Sequence, residues 1–336
     1  NLVTMNFKLK KSSIKCSPFV DQTLPMLFSL NVGKTDTFKK VPVDLVCVID
    51  HSGSMSGTNL ELVKNTFKYL LQYLDDKDRL SIVIFNDFAS RLTPLLRMTK
   101  ENKDKTLKEI SKIRANGGTS IQLGMIHALH ILKSRRYKNS ISSIFLLSDG
   151  LDCGAQGRVR KSIKHFNIKD NFTINTFGYG SDHDPKLMTD ISDIGEGSFY
   201  FIKELKTVDE CFVDCLGGLI SSVAKDTTIS IQALNNQVIP GVEITKAYGD
   251  GSMWVKEGDL YVTRIANLIL GKEKGYVLDL KIPKVDKELK DCEKALKLAK
   301  AAVKINTLDD QVYEKTVELQ VQFINFTEDD IEEDRK

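Results

Sequence analysis

VPVDLVCVIDHSGSMSG, residues 41–57, carries a nearly unbroken apolar run into an aspartate and then sets hydroxyls at alternating positions, Ser52, Ser54 and Ser56. A continuous apolar run predicts a strand covered on both faces, so Asp50 stands where that strand leaves the core. Three chemistries use an aspartate and serines in such a place: a nucleophile, a phosphate cradle and a cation site. The nucleophile reading fails because GSMSG (53–57) has Met55 where the G-x-S-x-G elbow needs its serine. A phosphate cradle requires G-x-x-x-x-G-K-[ST] or G-x-G-x-x-G spacing, which this stretch lacks. An aspartyl phosphotransferase would need a second aspartate where Ser52 stands.

Working outward, residues 41 to about 221 alternate strand and helix patterns. After the first strand, Leu60, Val63, Phe67, Leu70 and Leu74 recur at helical spacing. LSIVIF (80–85) reads as a second buried strand, and RLTPLLRM (91–98), with a proline and charges, as an edge strand. Helices are expected near 101–113 and 119–133, a buried strand at SSIFLLS (142–148), and a helix near 157–167. The strand NFTINTFGYG (171–180), a helix near 184–194, the strand SFYFI (198–202) and a helix over 206–223 complete the set. Repeated strand–helix units predict an α/β fold: a doubly wound, mostly parallel sheet with helices on both faces.

The pattern changes after that. TTISIQAL, QVIPGVEITKAYG, GDLYVTRIANL and KGYVLDLKI read as strands separated by turns. EKALKLAKAAVKIN has a helical alternative, but the strand-like YEKTVELQVQFINF and the intervening TLDDQ favour a hairpin over 293–325. TMNFKLKK and LPMLFSLNV, before the α/β unit, read as two strands without helical partners. The expected organisation is therefore N-terminal strands (1–36) shared with a C-terminal antiparallel β-sandwich (224–326), an α/β domain between them (37–223), and a solvated acidic tail (327–336).

Bulk properties set limits. With 336 residues, 41% hydrophobic and 28% charged, the chain suits two ordinary cores, and a formal net charge of +3 gives no field for nucleic acid. No apolar segment approaches the roughly 20 residues that span a bilayer, and NLVTMNFKLKKSS lacks the apolar block of a secretory signal. Six scattered cysteines, of which Cys211 and Cys215 share an i, i+4 spacing without a second pair or a nearby histidine, read as structural thiols of a reducing compartment. An intracellular, cytoplasmic location is expected.

In an open α/β sheet, ligands bind beyond the carboxyl ends of the strands where the winding reverses. If strand 43–49 is central, strand 142–148 is its neighbour at that switch point, and Asp50 and Asp149 share one crevice. NGGTS (116–120) adds a third loop, with Thr119 offering a hydroxyl before its helix. Taken singly, each position reads as a helix cap or a strand end; Asp50, Ser52, Ser54, Thr119 and Asp149, converging from three loops, read as a site for a hard divalent cation. All are oxygen donors, as Mg²⁺ prefers. Few formal charges would leave the ion able to accept a partner protein's Asp or Glu. His127 and His130 read as boundary histidines, SDHD (181–184) as a loop entering a helix, and Asp87 and Asp152 as groups at the rim of the crevice.

At these residues the sequence resembles the von Willebrand factor type A domain, whose metal-ion-dependent adhesion site is written D-x-S-x-S, then a threonine, then an aspartate. The resemblance, carried by DLVCVIDHSGSM, RLSIVIF, NGGTSI, IFLLSDG and TFGYGSDHD, covers about 41–202. It implies Mg²⁺ or Mn²⁺ held directly by Ser52 and Ser54, and directly or through water by Asp50, Thr119 and Asp149. It also implies protein binding rather than turnover. The chain is similar to intracellular members, including those of plant RING-finger ubiquitin ligases and ciliate-type proteins, in which a helix resembling VDECFVDCLGGLISSV leads into a β-rich segment. This extends the likeness, less specifically, to about 283. Inter-α-trypsin inhibitor heavy chains carry a similar β domain. No C-x-x-C pair occurs in the 336 residues, so the resemblance carries over no RING and no ligase activity. The alternative is a structural subunit in which the metal only braces loops.

Overall fold

Three strands come first, β1 (Val3–Leu9), β2 (Ser13–Lys15) and β3 (Gln22–Val32). The α/β segment follows: β4 (Val43–Asp50), α1 (Thr58–Tyr73), β5 (Arg79–Phe85), β6 (Ala89–Arg97), α2 (Lys100–Ser111), α3 (Ile121–Lys133), β7 (Ile141–Ser148), α4 (Ala155–Phe166), β8 (Thr173–Tyr179), α5 (Pro185–Ile194), β9 (Phe199–Ile202) and α6 (Leu205–Ile220). The chain then returns to strands, β10 (Ser222–Ala233), β11 (Glu243–Ala247), β12 (Val255–Glu257), β13 (Leu260–Ile269), β14 (Glu273–Ile282), β15 (Leu296–Thr307) and β16 (Val312–Ile324). The structure, a computed structural model, describes residues 2–10, 13–15, 20–33, 40–235, 237–249, 254–284 and 295–324. They form two compact units, one of the described residues from 40 to 225 and one of those up to 33 and from 226 onward.

The α/β unit has a six-stranded sheet in the order β6-β5-β4-β7-β8-β9. Only β6 runs antiparallel, at the edge, where Pro94 removes no ladder donor that a further strand would need. All eight residues of β4 and all eight of β7 are buried, which is what helices on both faces demand of central parallel strands. Val46 and Val48 face one way, into a core built with Met125 and Leu129 of α3, Val159 of α4 and Ile191 of α5. On the opposite side Phe145 and Phe177 pack with Phe212 of α6, the last two rings stacked at 4.3 Å, and Thr66 of α1 hydrogen-bonds Tyr179 at 2.9 Å.

The return strands build two sheets with the N-terminal ones, ordered β1-β3-β14-β11 and β12-β13-β10-β15-β16-β2. Antiparallel pairing dominates, with β16 and β2 as a parallel exception. Contacts cross from sheet to sheet, as a sandwich requires. Tyr261 of β13 donates to the Ile244 carbonyl of β11 at 3.2 Å, and Trp254 meets both Tyr261 and Tyr276 of β14 edge-on. The hairpin expected over 293–325 forms from β15 and β16, with Asp310 at φ 61° in the turn. One expectation needs correction. QVIPGV is not strand, since Pro240 and Gly241 (φ 90°) turn the chain before β11. The short strands β2 and β12 carry too few alternating residues to stand out by periodicity. The acidic run from Thr327 lies outside the described residues, as do Cys16 and Cys292.

The amino end of β4 is fixed by charge. Asp44, fully buried, accepts from Arg79 at 2.8 and 2.6 Å, from Arg135 at 2.6 Å and from the Asn139 amide at 3.1 Å. The Arg135 side chain is itself only 2% exposed. Removing one partner of such a pair strands the other charge, at about 3–5 kcal/mol. Asp44→Ala should therefore lower stability in urea unfolding by about that amount, while Lys64→Ala, which breaks a helix-surface pair with Glu61, should cost under about 1 kcal/mol. Equal small losses in both variants would contradict this account of the strand's anchoring.

Candidate functional site

The carboxyl end of β4 is built differently. Parallel register sets Ile49 beside Leu147 and Asp50 beside Phe85, so Asp50 leaves the sheet next to Ser148, and Asp149 follows on the neighbouring strand's exit. One oxygen of Asp50 accepts the Ser52 amide at 2.8 Å and the other accepts the Ser148 hydroxyl at 2.5 Å. The Ser148 oxygen in turn accepts the Gly150 amide at 3.0 Å. Ser52 is buried, and its hydroxyl shares a 3.1 Å hydrogen bond with that of the more exposed Ser54. Asp149 is 3% exposed, and its Oδ1 accepts the Leu151 amide at 3.3 Å.

Backbone bonds stitch the three loops together. The Gly53 amide donates to Gly117 O at 2.9 Å and the Asn116 amide to His51 O at 2.8 Å. Gly117, at φ 77°, brings this turn against Asp87, whose carboxylate accepts the Gly118 amide at 2.6 Å. A Cβ on Gly117 would come within 2.6 Å of that carboxylate, so the contact depends on the missing side chain. Asp152 accepts the Ile121 amide at 2.9 Å and pairs with Arg158. Thr119, half-buried, is thus held between a loop tied to Gly53 and a helix start tied to the Asp149 loop. Asp87 and Asp152 act as braces of the rim.

Beside Ser54 and Asp149 lies a cavity of about 190 Å³, lined also by Asn59, Leu151, Tyr179 and His183. The SDHD stretch therefore does two things: Asp184 caps α5 by accepting the Leu187 amide at 2.9 Å, and His183 walls this cavity. Ser148, Asn59 and His183 escape a reading from the motif alone. Ser148 is recoverable from the sequence once β4 and β7 are taken as neighbours; Asn59 and His183 depend on tertiary packing. His127 is half-buried and His130 exposed, on α3.

Charge decides what the site can hold. Burial pushes the Asp50 carboxyl up to about 6, with hydrogen bonds from Ser148 and Ser52 opposing and the nearby Asp149 charge adding to the rise. Among the described residues no ion pair involves Asp50 or Asp149. Buried charges require a partner, and here every donor to Asp50 is neutral. Among the described residues the chain supplies no cation of its own to this carboxylate. Among the described residues no group of three or more His, Cys, Asp or Glu is placed to hold a metal ion. The donors here are two carboxylates with hydroxyls, the set suited to a hard ion that keeps some of its waters.

A family comparison bears on this geometry. The family model of the von Willebrand factor type A domain matches residues 44–212. The chain belongs to that family. Von Willebrand factor type A domains are protein-interaction modules. The E3 ubiquitin-protein ligase WAV3 of Arabidopsis thaliana is 30% identical over 258 residues, which make up 74% of this chain and 32% of that protein. Inter-alpha-trypsin inhibitor heavy chain H2 of Homo sapiens is 29% identical over 171 residues, 48% of this chain and 18% of that protein. The chain thus spans about a third or less of these relatives. A solved von Willebrand factor type A structure from Catenulispora acidiphila shares the fold, with a TM-score of 0.73 at 16% identity over 97% of this chain and 74% of that one. Among the described residues no helix is long and apolar enough to cross a membrane.

The Asp50 shift carries a pH signature for the metal-free domain. Its folded value lies above the ordinary 3.8, so the folded state holds the extra proton, and stability falls as pH rises from about 4 through about 6. The difference corresponds to about 3 kcal/mol at neutral pH. Asp50→Asn should therefore unfold at higher denaturant than the parent at pH 7 in EDTA, and match it near pH 4. A variant less stable than the parent at pH 7 in EDTA would contradict the assignment.

Proposed function

We propose that this domain binds a divalent cation, Mg²⁺ or Mn²⁺, through Asp50, Ser52, Ser54, Thr119 and Asp149, and captures a partner protein through an Asp or Glu side chain. What carries the reading is the buried Asp50 carboxylate, set beside Asp149 with only neutral donors. When bound, the cation supplies an electrophilic centre open to one more anionic oxygen. Ser52 and Ser54 present neutral oxygens, so they add no formal negative charge that would weaken the pull on an outside carboxylate. Ser148 and the Ser52 amide orient Asp50, and the Asp87 and Asp152 braces hold the Thr119 loop in place.

Capture rather than turnover fits these residues. WAV3 and its relatives are named as ligases, but the matched stretch covers about a third of WAV3, and the Ser148 hydroxyl that meets the Asp50 carboxylate is fully buried, out of reach of a substrate. We also assign the domain to a reducing, intracellular setting: Cys47, Cys153, Cys211 and Cys215 are all free, and burial pushes the Cys47 and Cys215 thiols up, away from reactivity.

A ligand that binds only the folded state stabilises it by about 2.7 kcal/mol at a hundredfold excess over Kd. Millimolar Mg²⁺ should raise the Tm of the parent in thermal unfolding and leave Ser54→Ala and Asp149→Ala largely unmoved. Partner capture in a pull-down should be lost in EDTA and in Ser54→Ala. A parent Tm indifferent to both Mg²⁺ and Mn²⁺ would overturn the reading.

A further inference from the structure

A groove of about 1000 Å³ runs between α1 and α2 and opens at Ser56 and Gly57, two and three residues past Ser54. Its floor is apolar: Leu60 and Ile110 are buried and Leu107 is half-buried. Its walls carry Lys64, Lys68 and Arg114, against the single carboxylate of Glu61. Lys64 pairs with Glu61 at 2.9 Å, whereas Lys68 bonds the neutral Asn65 side chain at 2.8 Å and Arg114 bonds the Ser111 and Ile113 carbonyls. All three cations bear on Glu61, whose carboxyl is held below its ordinary value by the Lys64 hydrogen bond first, with Arg114 and Lys68 adding. The groove therefore keeps an excess of positive charge over an apolar floor. Arg114 also ties its mouth to the site, since its carbonyl lies 3.1 Å from His51 Nδ1.

Along α1, the groove extends from Thr58 to Lys68, roughly 15 Å at 1.5 Å per residue. An extended peptide crosses that length with about five residues at 3.3 Å each. We propose that this groove receives an extended acidic–apolar segment of the partner protein: one carboxylate at the cation, an apolar side chain on the Leu60, Leu107 and Ile110 floor, and a second carboxylate at Lys68, about five residues beyond the groove mouth. This rests on the proposed function of the site. It adds a length, a direction and a charge pattern to the partner.

The test uses the full chain and a displayed library of random linear peptides, selected in Mg²⁺. The expected result is enrichment of sequences with two acidic residues flanking an apolar one. Their affinity should fall at least about tenfold in Lys68→Glu/Arg114→Glu, about the change that reversing buried or rim charges brings, and vanish in EDTA. The same double variant should keep the parent's Tm response to Mg²⁺, which shows that its fold and cation site are intact. Peptides lost in EDTA but bound equally by the double variant would overturn the groove and leave the cation reading standing. Peptides that bind the parent groove equally in EDTA, or a selection with no acidic pattern, would also overturn it.

Discussion

One strand holds two buried carboxylates, and the protein treats them in opposite ways. At the start of β4, Asp44 is met by two guanidinium groups and an amide; six residues on, Asp50 is met by an amide and a hydroxyl. Both side chains are fully buried, so burial alone does not separate them. The first end is closed by the chain's own cations, and the second meets neutral donors alone. The rest of the α/β unit follows from holding β4 in the middle of its sheet, because that placement puts Asp50 at the switch point beside Asp149 and Ser148.

Holding the loops costs conformational freedom, and the structure meets it with backbone hydrogen bonds rather than bulk. His51, Gly53, Asn116 and Gly118 each bond across to another loop or its side chains, and Asp152 joins the start of α3 to the exit of β7. Preorganised oxygen donors are what a cation site needs, since little has to move when the ion arrives. The neighbouring α1–α2 groove shares the rigid start of α1 with this site, so a partner engaging both would meet one continuous surface.

The α/β half was readable because its signals are local and strong. The mostly apolar, wholly buried β4 and β7 have few alternatives, Pro94 marks the edge strand, and the D-x-S-x-S spacing sets three oxygen-bearing side chains within five residues. Thr119 and Asp149 followed from topology. Less was legible where the information is non-local. LKLAKAAVKIN (296–306) has helix-forming alanines, lysines and leucines, and its helical alternative loses to the expected hairpin because pairing with β16 lets Leu298, Ala301, Val303 and Ile305 fill a core face. Ser148 lies outside the D-x-S-x-S motif, and its bond to Asp50 follows only from setting β7 beside β4. Asn59 and His183 enter the crevice only through the packing of α1 and the β8–α5 loop.

The most direct test of the central claim is a crystal structure grown in Mn²⁺, with anomalous data collected at the manganese edge. The account predicts a single strong anomalous peak in this crevice, within coordination distance of the Ser52 and Ser54 hydroxyls and bordered by Asp50, Thr119 and Asp149. A map with no peak there, while Asp50 keeps its hydrogen bonds to Ser52 and Ser148, would contradict it.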